Sequence, residues 1–166
     1  MQIESVQILH LRSVNYPINM QKPVEQSKEI SIDEAIGESQ VVIVDDDPGF
    51  SFMLKDYLLT AGEIRCELFK NGGDFLKGYR NSDSRKIILD YEFDSGPNGL
   101  EVLKKIKMIN PLAVVIIVSG QDDLEKAVET LRSGATDYFL KTNKTVFANI
   151  LCSLIKIKEM EKNKLN

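Results

Sequence analysis

From residue 41 onward the apolar positions fall into short unbroken runs separated by longer, helically spaced stretches. Val41-Val42-Ile43-Val44 is four β-branched residues in succession, running straight into Asp45-Asp46-Asp47. A short apolar run bounded by turn signals reads as a strand buried on both faces, as in a parallel sheet. Ile64–Phe69, Ile87–Asp90, Ala113–Val118 and Asp137–Leu140 read as four further strands. Between them lie amphipathic stretches. The first, over 49–61, carries Phe52, Leu54, Tyr57, Leu58 and Ala61 and is ended by Gly62; Asp47 is its expected N-cap and Pro48 its first residue. Gly72–Tyr79 is short, with Phe75 and Leu76. Leu100–Ile109 carries Leu100, Leu103, Ile106 and Ile109 and is stopped by Pro111. A helix over 122–133 carries Leu124, Ala127, Val128 and Leu131, closed by Gly134. The last, over 144–162, carries Phe147, Ile150, Leu151, Leu154 and Ile155 and ends in lysines that suit the negative pole of its dipole. Five β/α units predict a doubly wound α/β domain over 40–162, a parallel sheet with helices on both faces, followed by a short tail, 163–166.

In such a sheet the carboxyl ends of the strands share one edge, and ligand sites form there. Polar residues stand at those ends: Asp45 and Asp46 after the first strand, Asp90 after the third, Ser119 after the fourth and Lys141 after the fifth. Carboxylates brought together repel: at about 4 Å and an effective dielectric near 20, each like-charged pair costs roughly 4 kcal/mol. A divalent cation and one ammonium group would offset that. Oxygen-only ligands select a hard ion, and magnesium fits because it accepts one or two carboxylates and keeps positions open for phosphoryl oxygens. Lys141 could hold another phosphoryl oxygen, and the Ser119 hydroxyl could donate to a third. Since an aspartate can act as nucleophile and form an aspartyl phosphate, the set reads as a site for phosphorylating Asp90.

Composition narrows the rest. The 166 residues carry a net charge of −4, with 43% hydrophobic and 28% charged residues. No basic patch or stripe stands out, which argues against direct contact with nucleic acid. Cys66 and Cys152 lack metal-like or CxxC spacing and read as reduced thiols in the interior of the protein. No apolar run is long enough for a membrane span, and Met1–Arg12 lacks the layout of a signal peptide; the expected location is cytoplasmic. A single histidine, His10, excludes a multi-histidine metal site. Residues 1–39 differ from the rest: Val6–Leu11 could form one short strand, and Ser31 three residues before Glu34 has capping-box spacing. This segment is too small to bury a core alone. It reads as a linker, or as an arm that packs on the domain or contributes to a homodimer.

Five motifs in order give the chain a family resemblance: Val41-Val42-Ile43-Val44-Asp45-Asp46-Asp47-Pro48, Ile87-Ile88-Leu89-Asp90, Asn98-Gly99-Leu100-Glu101-Val102-Leu103, Val118-Ser119-Gly120 and Gly134-Ala135-Thr136-Asp137-Tyr138-Phe139-Leu140-Lys141. Over about 40–162 the sequence resembles the CheY-like receiver domain of bacterial two-component response regulators. The resemblance implies a five-stranded sheet of order 2-1-3-4-5. It implies Asp90 as phosphoacceptor and metal ligand, Asp46 directly on Mg2+, Asp45 assisting, and the backbone carbonyl of Glu92 as a further ligand. Ser119 would be the switch hydroxyl, Tyr138 the aromatic whose rotamer follows it, and Lys141 the partner of the phosphate. The implied partners are a sensor histidine kinase or histidine phosphotransfer protein and a downstream protein target, signalled to through the face of the fourth helix, fifth strand and fifth helix. The chain would be a signalling phosphoacceptor, catalysing only its own phosphorylation and dephosphorylation. No output domain is expected after residue 162.

Two departures stand out. The loop from Tyr91 to Asn98 is one residue longer than the family's and its proline is displaced, placing Glu92 and Asp94 near the expected metal. Lys141 is followed by Thr142, where the family carries a cis proline; a cis bond before a non-proline residue costs roughly 2.5–4 kcal/mol, so a trans bond is expected. Two other classes stay in view. Asp45-x-Asp47, Ser119 and a later lysine also resemble haloacid-dehalogenase-type phosphohydrolases, in which Asp45 would be the nucleophile; against this stand Gly49 and the lack of an acidic motif after Lys141. A receiver-like interaction module that works without phosphorylation is the other. A dinucleotide-binding unit is excluded, because the turn after the first strand has no G-x-G-x-x-G.

Overall fold

The computed structural model describes residues 40–81, 83 and 85–164. The expectations for residues 1–39, including His10, lie outside the described residues. Among the described residues five strands and five helices alternate: β1 (Val41–Val44), α1 (Pro48–Gly62), β2 (Cys66–Phe69), α2 (Gly72–Gly78), β3 (Lys86–Asp90), α3 (Gly99–Ile109), β4 (Val115–Ser119), α4 (Leu124–Arg132), β5 (Asp137–Leu140) and α5 (Val146–Asn163). The strands form one parallel sheet in the order β2-β1-β3-β4-β5, as the resemblance implies.

Alternation along the strands divides the core. Val42, Val44, Ile87, Leu89, Val115 and Ile117 point to one face, against Phe75 of α2 and Leu103 and Ile106 of α3. Val41, Ile43, Ile88, Ile116 and Val118 point to the other, against Leu54 and Leu58 of α1 and Ile150 and Leu154 of α5. Strand side chains at successive positions face opposite ways, so a strand covered on both faces is apolar throughout. Burying each such side chain contributes about 1.5–3 kcal/mol.

The helix starts are built by local chemistry. The Asp47 carboxylate accepts from the backbone N–H of Gly49 at 2.8 Å and of Phe50 at 3.2 Å, with Pro48 in the first turn. Asn98 and Glu101 form a reciprocal capping box on α3. Gly62 does not act as expected. It is the last residue of α1, and the left-handed residue after it is Glu63, with φ of 53°. Gly62 is small for packing: a Cβ there would lie 2.6 Å from Leu151 Cδ1.

Several apolar stripes are also corrected. Phe52 is exposed, and Ser51 is buried beside Leu54 and Leu58 instead. Ile155 faces out. On α4, Leu124 is 77% exposed and Leu131 45%, while the one buried residue is Thr130, whose hydroxyl donates to the carbonyls of Lys126 and Ala127. Helical periodicity marks an apolar face; it does not say what that face meets. β2 begins at Cys66 and β4 at Val115, each two residues later than their apolar runs suggest, because Ile64 and Ala113 lie in the preceding turns.

Candidate functional site

The register of the sheet brings the strand ends level. Val44 pairs with Leu89, Asp90 with Val118 and Ser119 with Leu140. One carboxylate oxygen each from Asp45, Asp46 and Asp90 lies within 4.8 Å of the others. Asp45 and Asp90 are each 3% exposed, and Asp46 is half-buried. The Lys141 ammonium enters from the end of β5, with Nζ 2.8 Å from Asp90 Oδ2 and 2.8 Å from Asp45 Oδ2. It donates an aligned hydrogen bond to Asp90, while Asp45 Oδ2 is held by charge rather than by a well-directed bond. Nζ also lies 4.9 Å from the centroid of the Phe50 ring, within reach of a cation–π contact.

Each carboxylate has a backbone donor as well. Asp45 Oδ1 accepts from the Asp47 N–H at 2.9 Å, Asp90 Oδ1 from the Glu92 N–H at 3.3 Å, and Asp46 Oδ2 from the Asp94 N–H at 2.6 Å. The last contact comes from the longer loop after β3. Gly99, which begins α3, is packed so closely on β3 that a Cβ would lie 2.2 Å from the Asp90 carbonyl oxygen. With Gly99 pinned there, the intervening residues bow outward through Gly96, at φ +88°. Asp94 is thereby brought over Asp46.

Burial raises the Asp90 carboxyl to about 6; Lys141 pulls it down, and repulsion from Asp45 pushes it up. Asp45 is likewise raised by burial against the pull of Lys141. For Lys141, burial alone would lower the ammonium, but its pairing with the Asp45 and Asp90 carboxylates outweighs burial and holds it above the usual lysine value. The cluster is therefore an excess of buried negative charge that one lysine only partly balances. Three hard oxygen donors at this spacing, one of them half-exposed, fit a small divalent cation.

The remaining predicted residues stand around this cluster. Ser119 is fully buried at the end of β4, but its hydroxyl is turned to the next loop, donating to the Gln121 carbonyl at 3.2 Å and accepting from the Gln121 N–H at 3.1 Å. Tyr138 is half-buried, its hydroxyl donating to the same carbonyl at 3.5 Å. The Glu92 carboxylate turns away from the aspartates and meets Lys126 Nζ at 2.9 Å. The described residues contain no cis peptide bond, so Lys141–Thr142 is trans, as expected.

Residues 41–149 match the family model described as the response regulator receiver domain. The chain belongs to that family. A receiver of this kind is a module of two-component signalling. The chain is 35% identical over 101 residues to the DNA-binding transcriptional regulator NtrC of Escherichia coli strain K12, covering 61% of this chain and 21% of that protein. It is 34% identical over 101 residues to the transcriptional regulatory protein ZraR of Klebsiella oxytoca, covering 61% of this chain and 22% of that protein. The match thus spans about a fifth of these relatives' length. Among solved structures, a CheY-like receiver domain protein from Methanospirillum hungatei JF-1 superposes with a TM-score of 0.62 at 28% identity, covering 76% of this chain and 97% of that one. The receiver domain of NtrX from Brucella abortus gives 0.61 at 26% identity, covering 73% of this chain and 98% of that one.

Phe50, Asp94 and Lys126 complete the site's surroundings, and the sequence reading assigned none of them these roles. Phe50 sits inside the first turn of α1 and carries no signal beyond its apolar character. Asp94 acts through its backbone. Lys126 meets Glu92 across 34 residues of chain.

Proposed function

We propose that this receiver takes a phosphoryl group from a partner phosphohistidine onto Asp90, using Mg2+ held by Asp45 and Asp46. The observation that carries the proposal is the ion pairing of one half-buried lysine with two buried carboxylates beside a third: Lys141 Nζ lies 2.8 Å from both Asp45 and Asp90. Such a charge set is expensive to bury and would be replaced by apolar residues if stability alone were served.

An Asp90 carboxylate oxygen attacks the phosphorus, the P–N bond to the donor imidazole breaks, and its electron pair stays on that ring nitrogen. Asp90 is ready for this at neutral pH, since a carboxyl with a pKa of about 6 is mostly ionised there. The Lys141 ammonium orients the carboxylate before transfer and is placed to follow the phosphoryl oxygens after it. Bound magnesium would supply charge neutralisation for the phosphoryl oxygens. Ser119 must leave Gln121 to reach a phosphoryl oxygen, and Tyr138, bonded to the same carbonyl, would then be free to turn. The α4-β5-α5 face would report the change to a protein target. In this role the chain, acting in the cytoplasm, catalyses only its own phosphorylation and dephosphorylation.

A phosphorylation-independent reading is favoured by one contact: the Asp94 N–H already occupies Asp46 Oδ2, one of the two oxygens that this carboxylate could offer a metal. Intact-mass spectrometry after incubation with a small acyl-phosphate donor separates the two. Magnesium-dependent gain of one phosphoryl group, lost in Asp90→Asn, supports phosphoacceptance. No gain, with no magnesium binding by calorimetry, supports the interaction module.

A further inference from the structure

Lys126 occupies an unusual position. It is the third residue of α4, where the positive pole of the helix dipole disfavours a cation and favours an acid. Its ammonium is nevertheless fixed by three partners from three directions. Nζ donates to Glu92 Oε1 at 2.9 Å and to Gln121 Oε1 at 3.0 Å, and it lies 5.1 Å from the centroid of the Tyr91 ring. Asp123, the N-cap of α4, is 4.0 Å away and adds attraction without a hydrogen bond.

The partners of Lys126 are the ends of two separate strand loops. Tyr91 and Glu92 directly follow Asp90, and the Glu92 N–H reaches back to the Asp90 carboxylate. Gln121 is the residue to which both hydroxyls turn: its backbone carbonyl accepts from Ser119 and from Tyr138. Along one path of contacts, Asp90 is tied to Glu92, Glu92 to Lys126, Lys126 to Gln121, and Gln121 to Ser119 and Tyr138. Remove the ammonium and the path separates into two loops that share no side-chain bond described above. Little else fastens this end of α4, which buries only Thr130.

Resting on the reading of Asp90 as the reacting carboxylate, we infer that Lys126 is a positioning residue: it clamps the loop after Asp90 to the first turn of α4, so that a change at Asp90 is transmitted to Ser119, Tyr138 and α4. A loop that shifts when Asp90 is occupied must carry Glu92 with it, and the clamp then either drags the 121–126 turn or breaks and releases it. In both cases α4 responds because of Lys126. Without the lysine, Asp90 could still react, but the response of α4 would be uncoupled from it.

The test is amide hydrogen exchange by mass spectrometry on the full chain, with Lys126→Met, Lys126→Arg, Glu92→Lys, Lys126→Glu and the Glu92→Lys/Lys126→Glu exchange. In the free protein, Lys126→Met and each single charge reversal should speed exchange across 121–127 by about three- to fivefold, as expected for loss of one well-placed ion pair. Lys126→Arg and the double exchange should return it to within about twofold of the parent. Adding magnesium with beryllofluoride as phosphoryl analogue should alter exchange at both 92–94 and 121–127 in the parent, but at 92–94 alone in Lys126→Met. Unchanged exchange in Lys126→Met, or a double exchange no better than the sum of its single reversals, would overturn the clamp. If the parent binds no beryllofluoride, the phosphoacceptor reading fails on its own, while the free-protein comparison still decides whether the clamp exists.

Discussion

The central strands and the α4 region of this domain are built to opposite standards. β1, β3 and β4 are buried from end to end apart from Lys86, and they carry Asp45, Asp90 and Ser119 into a site where each carboxylate has both a backbone donor and a nearby cation. α4 and β5 lie at the other extreme. α4 buries one threonine and turns two leucines to solvent, and β5 is an edge strand half-exposed throughout. A charged cluster that has to keep its geometry through a reaction benefits from a rigid support. A segment that must move in response has to be cheap to move, and few buried contacts make it so. Under the proposed function, the chemistry would sit on the rigid part and the response on the loose one.

Substitutions can widen or erase this difference. The largest effect is expected from Gly99→Ala and Ile116→Ala. In the first, a Cβ would meet the backbone of Asp90, which cannot yield; in the second, a fully buried side chain leaves a cavity. Each should destabilise by about 3–4 kcal/mol in urea melts, and Gly99→Ala should also impair phosphorylation because it moves Asp90.

Next is Asp90→Asn. Folding raises Asp90 from an ordinary 3.8 to about 6, so its ionised form is disfavoured in the folded state. The stability connected with the protonated carboxyl is fully present below about pH 4 and lost as pH rises through about 6. Asp90→Asn in metal-free buffer should therefore stabilise the protein by about 1–3 kcal/mol at pH 7, with little gain at pH 4. A melt showing equal stabilisation at both values would contradict the assignment. Magnesium should stabilise the parent more than the variant.

Smaller effects come from the periphery. Glu63→Gly relieves a left-handed backbone and should add about 0.5–1 kcal/mol by thermal melting. Leu124→Ser and Leu131→Ser, both on the exposed side of α4, should change stability by less than about 0.5 kcal/mol. A cost near that of Ile116→Ala would mean that α4 is packed more tightly than its exposure indicates.

Much of this was legible in the sequence because the physics was local. Runs such as Val41–Val44 and Ile87–Leu89 can satisfy their backbone and bury their side chains only as central strands, and parallel connectivity then forces Asp45, Asp46, Asp90, Ser119 and Lys141 to one edge. Asp47-Pro48 announced a helix start and made one. What stayed hidden depends on relations that periodicity does not encode. The stripe Leu124, Ala127, Val128, Leu131 predicted a helix correctly and its inward face wrongly, because at the sheet edge little lies beneath it. Gly62 looked like a helix terminator, whereas its smallness serves Leu151, a residue 89 positions away. The extra residue after Asp90 could be counted, but not its outcome, a backbone N–H delivered to Asp46 while the Glu92 carboxylate leaves for Lys126.

The most direct test of the account is to locate the phosphoryl group. After incubation with an acyl phosphate and magnesium, borohydride reduction converts an aspartyl phosphate to homoserine, and peptide mass spectrometry then identifies the residue. The account predicts homoserine at Asp90 alone, dependent on magnesium and diminished in Lys141→Ala. Homoserine at Asp45 would contradict it and point to phosphohydrolase chemistry instead.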